Sequence, residues 1–202
     1  MGTAETREKI RSASIALFNA RMASNVSTVQ ISKEIGISTG NMYYYYKNKE
    51  HIIRSLWQDD IQPALQRAAE ALDGGRSEHG IIEGFRALTA VVIQYPFFFA
   101  ELPALLHNDP DLRALYRAHF ADITQILRRV METWTELGIM LPVDAGSIQV
   151  LAENIWCMVQ SLPFLLEDGG GAAALFEHLY ASLRPYLSYA SNERIRRLLL
   201  IQ

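Results

Sequence analysis

Apolar residues recur along this chain at intervals of three and four from residue 10 almost to the C-terminus, the period of one buried helical face. Ile10, Ala13, Ser14, Leu17 and Phe18 predict a first helix over about 5–21. Ile31 and Ile35 sit one turn apart on a short second helix, which Gly36 must end by adopting a positive φ. Ile37 then returns to the interior, and Ser38 caps a short third helix. A fourth opens at Lys49 behind the cap Asn48 and runs through Ile52, Ile53, Leu56, Trp57 and Ile61 to about Leu72, before Gly74 and Gly75. Pro63 removes one backbone donor inside that run and should bend it, as a hinge or as a static kink.

The same period continues beyond residue 75. Ile81, Ile82, Phe85, Leu88, Val92 and Tyr95 mark a fifth helix ended by Pro96, and Phe97 to Leu106 reads as a short, very apolar sixth. Asp109 and Pro110 open a seventh, whose stripe from Leu112 through His119 to Trp134 ends near Leu137 with Gly138 as the residue after the cap. An eighth starts at Asp144 and reaches Leu166. Glu167 to Gly171 is expected as a flexible break, Leu175, Leu179, Leu183 and Leu187 form a ninth helix, and Ser191 caps a last short one. No segment alternates with the period of a strand. The fold class is therefore all-α, with about nine to ten helices: an N-terminal three-helix domain over residues 1–57 and a C-terminal helical bundle over 58–202.

Two short helices joined by a three-residue glycine turn form the helix-turn-helix, whose second member enters the DNA major groove. Thr39, Gly40 and Asn41 occupy the first turn of that second helix, the part shown to base edges. Gly40 costs roughly 0.8–1.0 kcal/mol of helix propensity against alanine, a cost that makes sense where another backbone approaches closely. Lys49, in a helix first turn, opposes the helix dipole unless a phosphate docks there too. Ser27 to Gln30 has the form of a capping box, so Thr28 and Gln30 are candidates both for capping and for DNA contact. Of the four successive tyrosines, Tyr46 belongs with Met42 and Ile35 in the core, leaving Tyr44 and Tyr45 for groove or backbone contacts. The turn lacks arginine, so Asn41 to adenine and threonine or tyrosine to thymine methyls replace the bidentate guanine contact, and a modest A·T preference is expected.

Residues 7–57 resemble the DNA-binding domain of the TetR family of bacterial transcriptional regulators. Ile10, Leu17, Phe18, Thr28, Ile31, Gly36, Ser38, Gly40, Tyr43 and Lys49 carry the match, without a gap from Phe18 to Lys49. Three positions depart from the usual pattern: Met22 stands where glycine is common, Ser32 replaces a small alanine, and Tyr46 replaces phenylalanine. The resemblance implies that Tyr43 gives its hydroxyl to a phosphate. The DNA-binding set it suggests is Thr28, Gln30, Ser38, Thr39, Gly40, Asn41, Tyr43, Tyr44, Tyr45, Lys47 and Lys49. Tyr95 to Arg117 also resembles one C-terminal subgroup of these regulators. For that domain the family implies a small-molecule cavity and dimerisation through the last two long helices, here the eighth and ninth.

Charge supports this layout. The chain of 202 residues has a net charge of −3, but residues 1–57 hold eight Lys/Arg and four acids, a balance of +4, and the rest carries −7. A basic head on an acidic body is the pattern of a DNA reader with a separate regulatory domain. The single cysteine, Cys157, excludes an internal disulfide, the N-terminus lacks the apolar core of a signal peptide, and the longest uncharged run, Ala87 to Ala100, is too short to span a membrane. A cytoplasmic protein is expected.

Enzymatic chemistry finds little purchase. His107, Asp109 and Asp111 lie close in sequence, but helix capping accounts for Asp109, and Cys157 has no paired histidine and reads as buried core, so neither a catalytic set nor a metal or cofactor is expected. Polar or aromatic groups amid apolar stripes are better candidates for an effector site: Gln94, Phe98, His119, Trp134, Asn154 and Gln160. Each of the polar ones also reads as a satisfied core or interface group, and Asn154 as one that sets dimer register. The reading is a homodimeric regulator, a repressor by resemblance, that binds double-stranded operator DNA and is released by a small hydrophobic or aromatic effector. The alternative is an all-helical enzyme or adaptor with a vestigial helix-turn-helix.

Overall fold

The computed structural model describes residues 3–165 and 171–200. In chain order the helices are α1 (Thr3–Arg21), α2 (Thr28–Glu34), α3 (Thr39–Tyr45), α4 (Lys49–Leu56), α5 (Gln62–Asp73), α6 (Glu78–Gln94), α7 (Pro96–Ala100), α8 (Leu102–Asn108), α9 (Pro110–Glu136), α10 (Ala145–Leu165), α11 (Gly171–Leu183) and α12 (Tyr189–Leu200). A π-helical turn, Trp57–Ile61, joins α4 to α5 without a break. Counting that rod once, the described residues hold eleven α-helices and no strand beyond an isolated bridge between Met140 and Leu187. The expected sixth helix is two, because Pro103 cannot continue α7 past Glu101: its ring would meet the carbonyl of Phe99. The expected glycine break at 167–170 lies outside the described residues.

Local chemistry accounts for the helix ends. Gly36 and Gly138 take φ of 70° and 69°. Each closes a Schellman motif, with Ile37 N donating to Ser32 O at 3.0 Å and Ile139 N to Trp134 O at 2.8 Å. Ser27 and Gln30 form the reciprocal capping box. Ser38 Oγ accepts from Asn41 N, and Asn48 Oδ1 from His51 N. Asp109 Oδ1 accepts from the amides of Asp111 and Leu112 at the start of α9. The last helix is capped by Ser188, whose hydroxyl accepts from Ser191 N, so Ser191 lies inside the first turn instead of at the cap. At Pro63 the rod answers the missing donor with the π turn just before it, where Gln62 N bonds back to Trp57 O.

The chain divides into two compact units, Met1–Pro63 with Tyr95–Arg117, and Ala64–Gln94 with Ala118–Gln202. In the first, α1 buries Thr6, Ile10, Ser14 and Phe18 at a spacing of four, and Leu17 is only half-buried. Ile31 and Met42 are fully buried and Tyr46 nearly so. Tyr95–Arg117 joins this unit because α7 inserts its phenylalanines: Phe97 lies 5.1 Å from Phe18, and Phe98 stacks on Trp57 at 4.9 Å and 11°. Burying each such ring is worth about 1.5–3 kcal/mol. Arg54 ties α4 to the start of α9 through Asp109 and Asp111, and Arg11 ties α1 to Asp60.

The second unit packs α10 along α6 and α11, with α12 against α6. Its core includes Phe85, Leu88, Ile123, Leu127, Trp134, Ile155, Trp156 and Leu179. Glu78 on α6 accepts from Ser191 and Arg194 of α12 at 2.8 Å each. Burial by itself would raise the Glu78 carboxyl, but these hydrogen bonds, its own backbone amide and the Arg194 charge hold it below the usual range. Cys157, expected in the core, is exposed. α10 is apolar on most of its circumference, so periodicity does not reveal which side faces inward.

Candidate nucleic-acid interface

The turn Gly36–Ser38 sets α3 on α2 by burying Ile31 and Met42, and this leaves the opposite side of α3 in solvent. Gly40 and Asn41 are exposed, Thr39 is half-buried, Tyr43 is 50 % exposed and Tyr44 75 %. Tyr45 is half-buried, with its ring edge-on to Tyr44 at 5.1 Å. A Cβ built on Gly40 would meet no atom within 4 Å, so nothing inside the protein requires glycine there. Ser38 is committed to its cap and lies at the exposed entry of the helix.

Beside α3 lies an open notch of about 390 Å³ where the first turns of α2 and α4 meet, lined among others by Thr28, Gln30, Tyr43, Lys47, Asn48 and Lys49. Tyr43 OH and Thr28 Oγ1 stand 3.5 Å apart at its mouth. The carbonyl oxygen of Gln30 is occupied by Ser27 N and Ser27 Oγ, which leaves its amide NH₂ to face outward. The loop forming the far wall is unusual. Met22 holds φ 64° and ψ 150°, a region otherwise kept for glycine. The 3-10 turn Ala23–Asn25 after it is held by the Glu101 carboxylate, which accepts from Ala23 N at 2.7 Å and Ser24 N at 3.2 Å. Lys49 Nζ donates to Ala23 O at 2.6 Å.

Sequence reasoning passed over His51. Its Nδ1 accepts from Lys47 N at 3.3 Å and its ring lies edge-on to Tyr46 at 5.3 Å. Partial burial, then the charges of Arg54, Lys47 and Arg7, lower its pKa. The local signal was a histidine three residues after the Asn48 cap, but Arg7 reaches it from another helix.

The six effector candidates are divided between the two units. Phe98 belongs to the first unit, packed on Trp57. Gln94 and Asn154, expected among apolar neighbours, lie on exposed helix faces. His119, Trp134 and Gln160 are buried in the second unit. His119 meets Trp156 edge-on at 5.9 Å, and burial takes its pKa down to about 4 against a small opposing pull from Asp122. The indole N–H groups of Trp134 and Trp156 are buried without a hydrogen-bond partner among the described residues. Asp109 and Asp111 are taken up by Arg54.

An all-α chain whose capped, solvent-facing second helix follows a Schellman turn is a helix-turn-helix regulator. Residues 10–56 match the family model described as bacterial regulatory proteins, tetR family, and residues 56–194 the TetR model described as bacterial transcriptional repressor. The protein belongs to the TetR family of bacterial transcriptional regulators, and it is a DNA-binding regulator, not an enzyme. It is similar to the HTH-type transcriptional regulator UidR of Escherichia coli, 24% identical over 137 residues that cover 68% of this chain and 70% of the relative. A TetR-family transcriptional regulator from Marinobacter aquaeolei has the same fold, with a TM-score of 0.79, 25% identity and 98% of each chain covered. A Saccharomonospora viridis protein solved in complex with choline shares the fold at a TM-score of 0.76 and 17% identity, over 92% of this chain and all of that one. No helix among the described residues is long and apolar enough to cross a membrane.

Proposed function

We propose that the protein is a cytoplasmic one-component repressor that binds an inverted-repeat operator as a homodimer and leaves it when a small hydrophobic or aromatic effector binds. The observation that carries this is the neutral, tyrosine-rich face of α3 standing in solvent beside a notch lined by Lys47 and Lys49. In this reading Thr39, Gly40, Asn41, Tyr44 and Tyr45 meet base edges and sugar, and the open space over Gly40 is where the duplex backbone comes close. Thr28, Gln30, Ser38, Tyr43, Lys47 and Lys49 hold phosphates.

Residues 1–57 serve as the reading head and 58–202 as the regulatory and dimerisation part. α10 and α11 supply the dimer contact: Val150, Asn154, Cys157 and Ser161 form an exposed, uncharged stripe on α10, and α11 exposes His178 and Ala181. The choline complex of the Saccharomonospora viridis protein supports a small-molecule role for this fold. His119, Trp134 and Gln160 are the groups that would anchor the effector, and it acts only by its difference in affinity between the two states of the dimer. A gel shift with the DNA flanking the protein's own coding region tests the reading. The expected footprint has two half-sites about one helical turn, ~34–36 Å, or a multiple apart. A monomer at all concentrations in light scattering, or no preference for any sequence in a selection from random DNA, overturns it.

A further inference from the structure

A second hollow of the first unit adjoins the notch. It measures about 270 Å³, below the ~300–1,000 Å³ of a drug-sized site, so its occupant is small. Its floor is apolar: Ile53 and Leu112 are buried and Leu105 is half-buried. Ala23, Ser24 and Lys49 form one side, and Ser24 and Lys49 also line the notch, so the two hollows share that wall. Three acids ring the hollow: Glu50, Glu101 and Asp109. Asp109 is spent, one oxygen on the amides of Asp111 and Leu112 and the other on Arg54. Glu101 accepts from Ala23 N and Ser24 N, which leaves part of its capacity of about four bonds open. The Glu50 carboxylate has no hydrogen bond or ion pair among the described residues. Lys49, the only cation among the described lining residues, donates to Ala23 O and pairs with neither acid.

We propose that this hollow binds a small primary ammonium ion with a short apolar tail, and that its occupation strengthens the grip on DNA. The tail lies on Ile53, Leu105 and Leu112, and the ammonium N–H donors turn to Glu50 and Glu101. A quaternary ammonium does not fit, because it donates no hydrogen bond and no aromatic face is among the lining residues to hold it. A neutral alcohol leaves both carboxylates unanswered. The effect on DNA follows from the shared wall and rests on the DNA-binding reading. By themselves Glu50 and Glu101 set two negative charges next to the phosphate position at Lys49, and these repel the duplex. A bound cation cancels one of them, while the open lone pairs of Glu101 let it keep its bonds to the loop. By linkage, the duplex raises the affinity for the amine by the same factor.

The test begins with an amide-resolved NMR titration of the full chain with n-pentylamine, protonated at about pH 7.5 as a lysine side chain is. 1-Pentanol and tetramethylammonium, at equal ionic strength, are the controls. The Ala23 and Ser24 amides are expected to shift saturably with pentylamine, at a Kd of about 1 mM for so few non-hydrogen atoms, and with neither control. Glu50→Gln, and Ala104→Phe, which fills the hollow from an exposed position, should each weaken amine binding about tenfold or more. In fluorescence anisotropy with a labelled mixed-sequence duplex, saturating pentylamine should tighten binding about threefold relative to tetramethylammonium, the scale of one charge acting across several ångströms of wet surface. Glu50→Gln should tighten it by a similar factor with no amine present, and Ala104→Phe should remove the amine's effect. Shifts at Ala23 and Ser24 that are absent, that a control reproduces, or that persist unchanged in Ala104→Phe overturn the site. Amine binding with duplex affinity unmoved or lowered overturns the coupling. Amine binding by a protein that takes up no duplex overturns the DNA-binding reading and leaves the site standing.

Discussion

The Lys49 ammonium and the Ala23 carbonyl oxygen lie 2.6 Å apart, a bond between the first turn of α4 and the loop that leads into α2. The lysine expected on a phosphate thus also holds the wall of the notch in which that phosphate would sit. Lys49→Ala is expected to lose in two assays. Urea denaturation should show about 1–2 kcal/mol less stability, because a hydrogen bond from a charged donor is removed. Duplex titrations should show uniformly weaker binding and a flatter salt dependence.

Glu101 is the other half of that wall. Its carboxylate is the acceptor for two backbone amides that have no helix to satisfy them. Glu101→Ala is expected to cost about 1–3 kcal/mol and to speed hydrogen exchange at Ala23 and Ser24. Glu101→Gln keeps one acceptor oxygen and should lose less than half as much.

Met22→Gly is expected to stabilise the protein. Backbone strain at a non-glycine residue in this region costs about 1–3 kcal/mol. Against it stand the entropy of glycine, roughly 0.5–1 kcal/mol, and the loss of a half-buried thioether. A net gain of up to about 1 kcal/mol follows, readable as a higher thermal midpoint.

His119 makes stability depend on pH in a definite direction. Its folded pKa, about 4, lies below the ordinary value of 6.5, so between these the unfolded chain binds the proton and the folded one does not. Stability is therefore complete above pH 6.5 and falls as the pH drops toward 4, by at most about 3 kcal/mol. Replacing His119 with leucine should flatten urea midpoints across that window.

Gly84→Ala is expected to be among the most damaging small changes. A Cβ there would lie 2.7 Å from Leu72 Cα, a backbone atom of α5 that cannot turn aside. Overpacking of this kind costs about 1–3 kcal/mol. A thermal midpoint within a degree of the parent would contradict the close approach of α5 and α6.

Helix ends were the most legible part of the sequence, because each rests on one or two residues acting on their own backbone: Gly36, Gly138, Ser27 with Gln30, and Asn48. The solvent-facing side of α3 was legible for a related reason, since Met42 and Tyr46 identify the buried side and leave Tyr43 and Tyr44 outside. What escaped depends on partners distant in the chain. Glu101 meets a loop 78 residues away, and nothing near residue 101 announces it. Arg7 bears on His51 from a different helix. α10 is apolar nearly all round, so sequence could not orient Asn154 or Cys157, and both face solvent.

The π-helical turn keeps an apolar seam of the first unit in phase. Ile53, Trp57 and Ile61 follow one another every four residues, and none is more than 2% exposed. In an uninterrupted α-helix such spacing drifts about 40° at each step, roughly 80° from first to last. One additional residue in the turn winds back about 100° of rotation, which returns Ile61 to the side of Ile53. The turn therefore holds one residue to spare: deleting exposed Gln58 is expected to shorten it to an ordinary α turn with Ile61 still on the buried side.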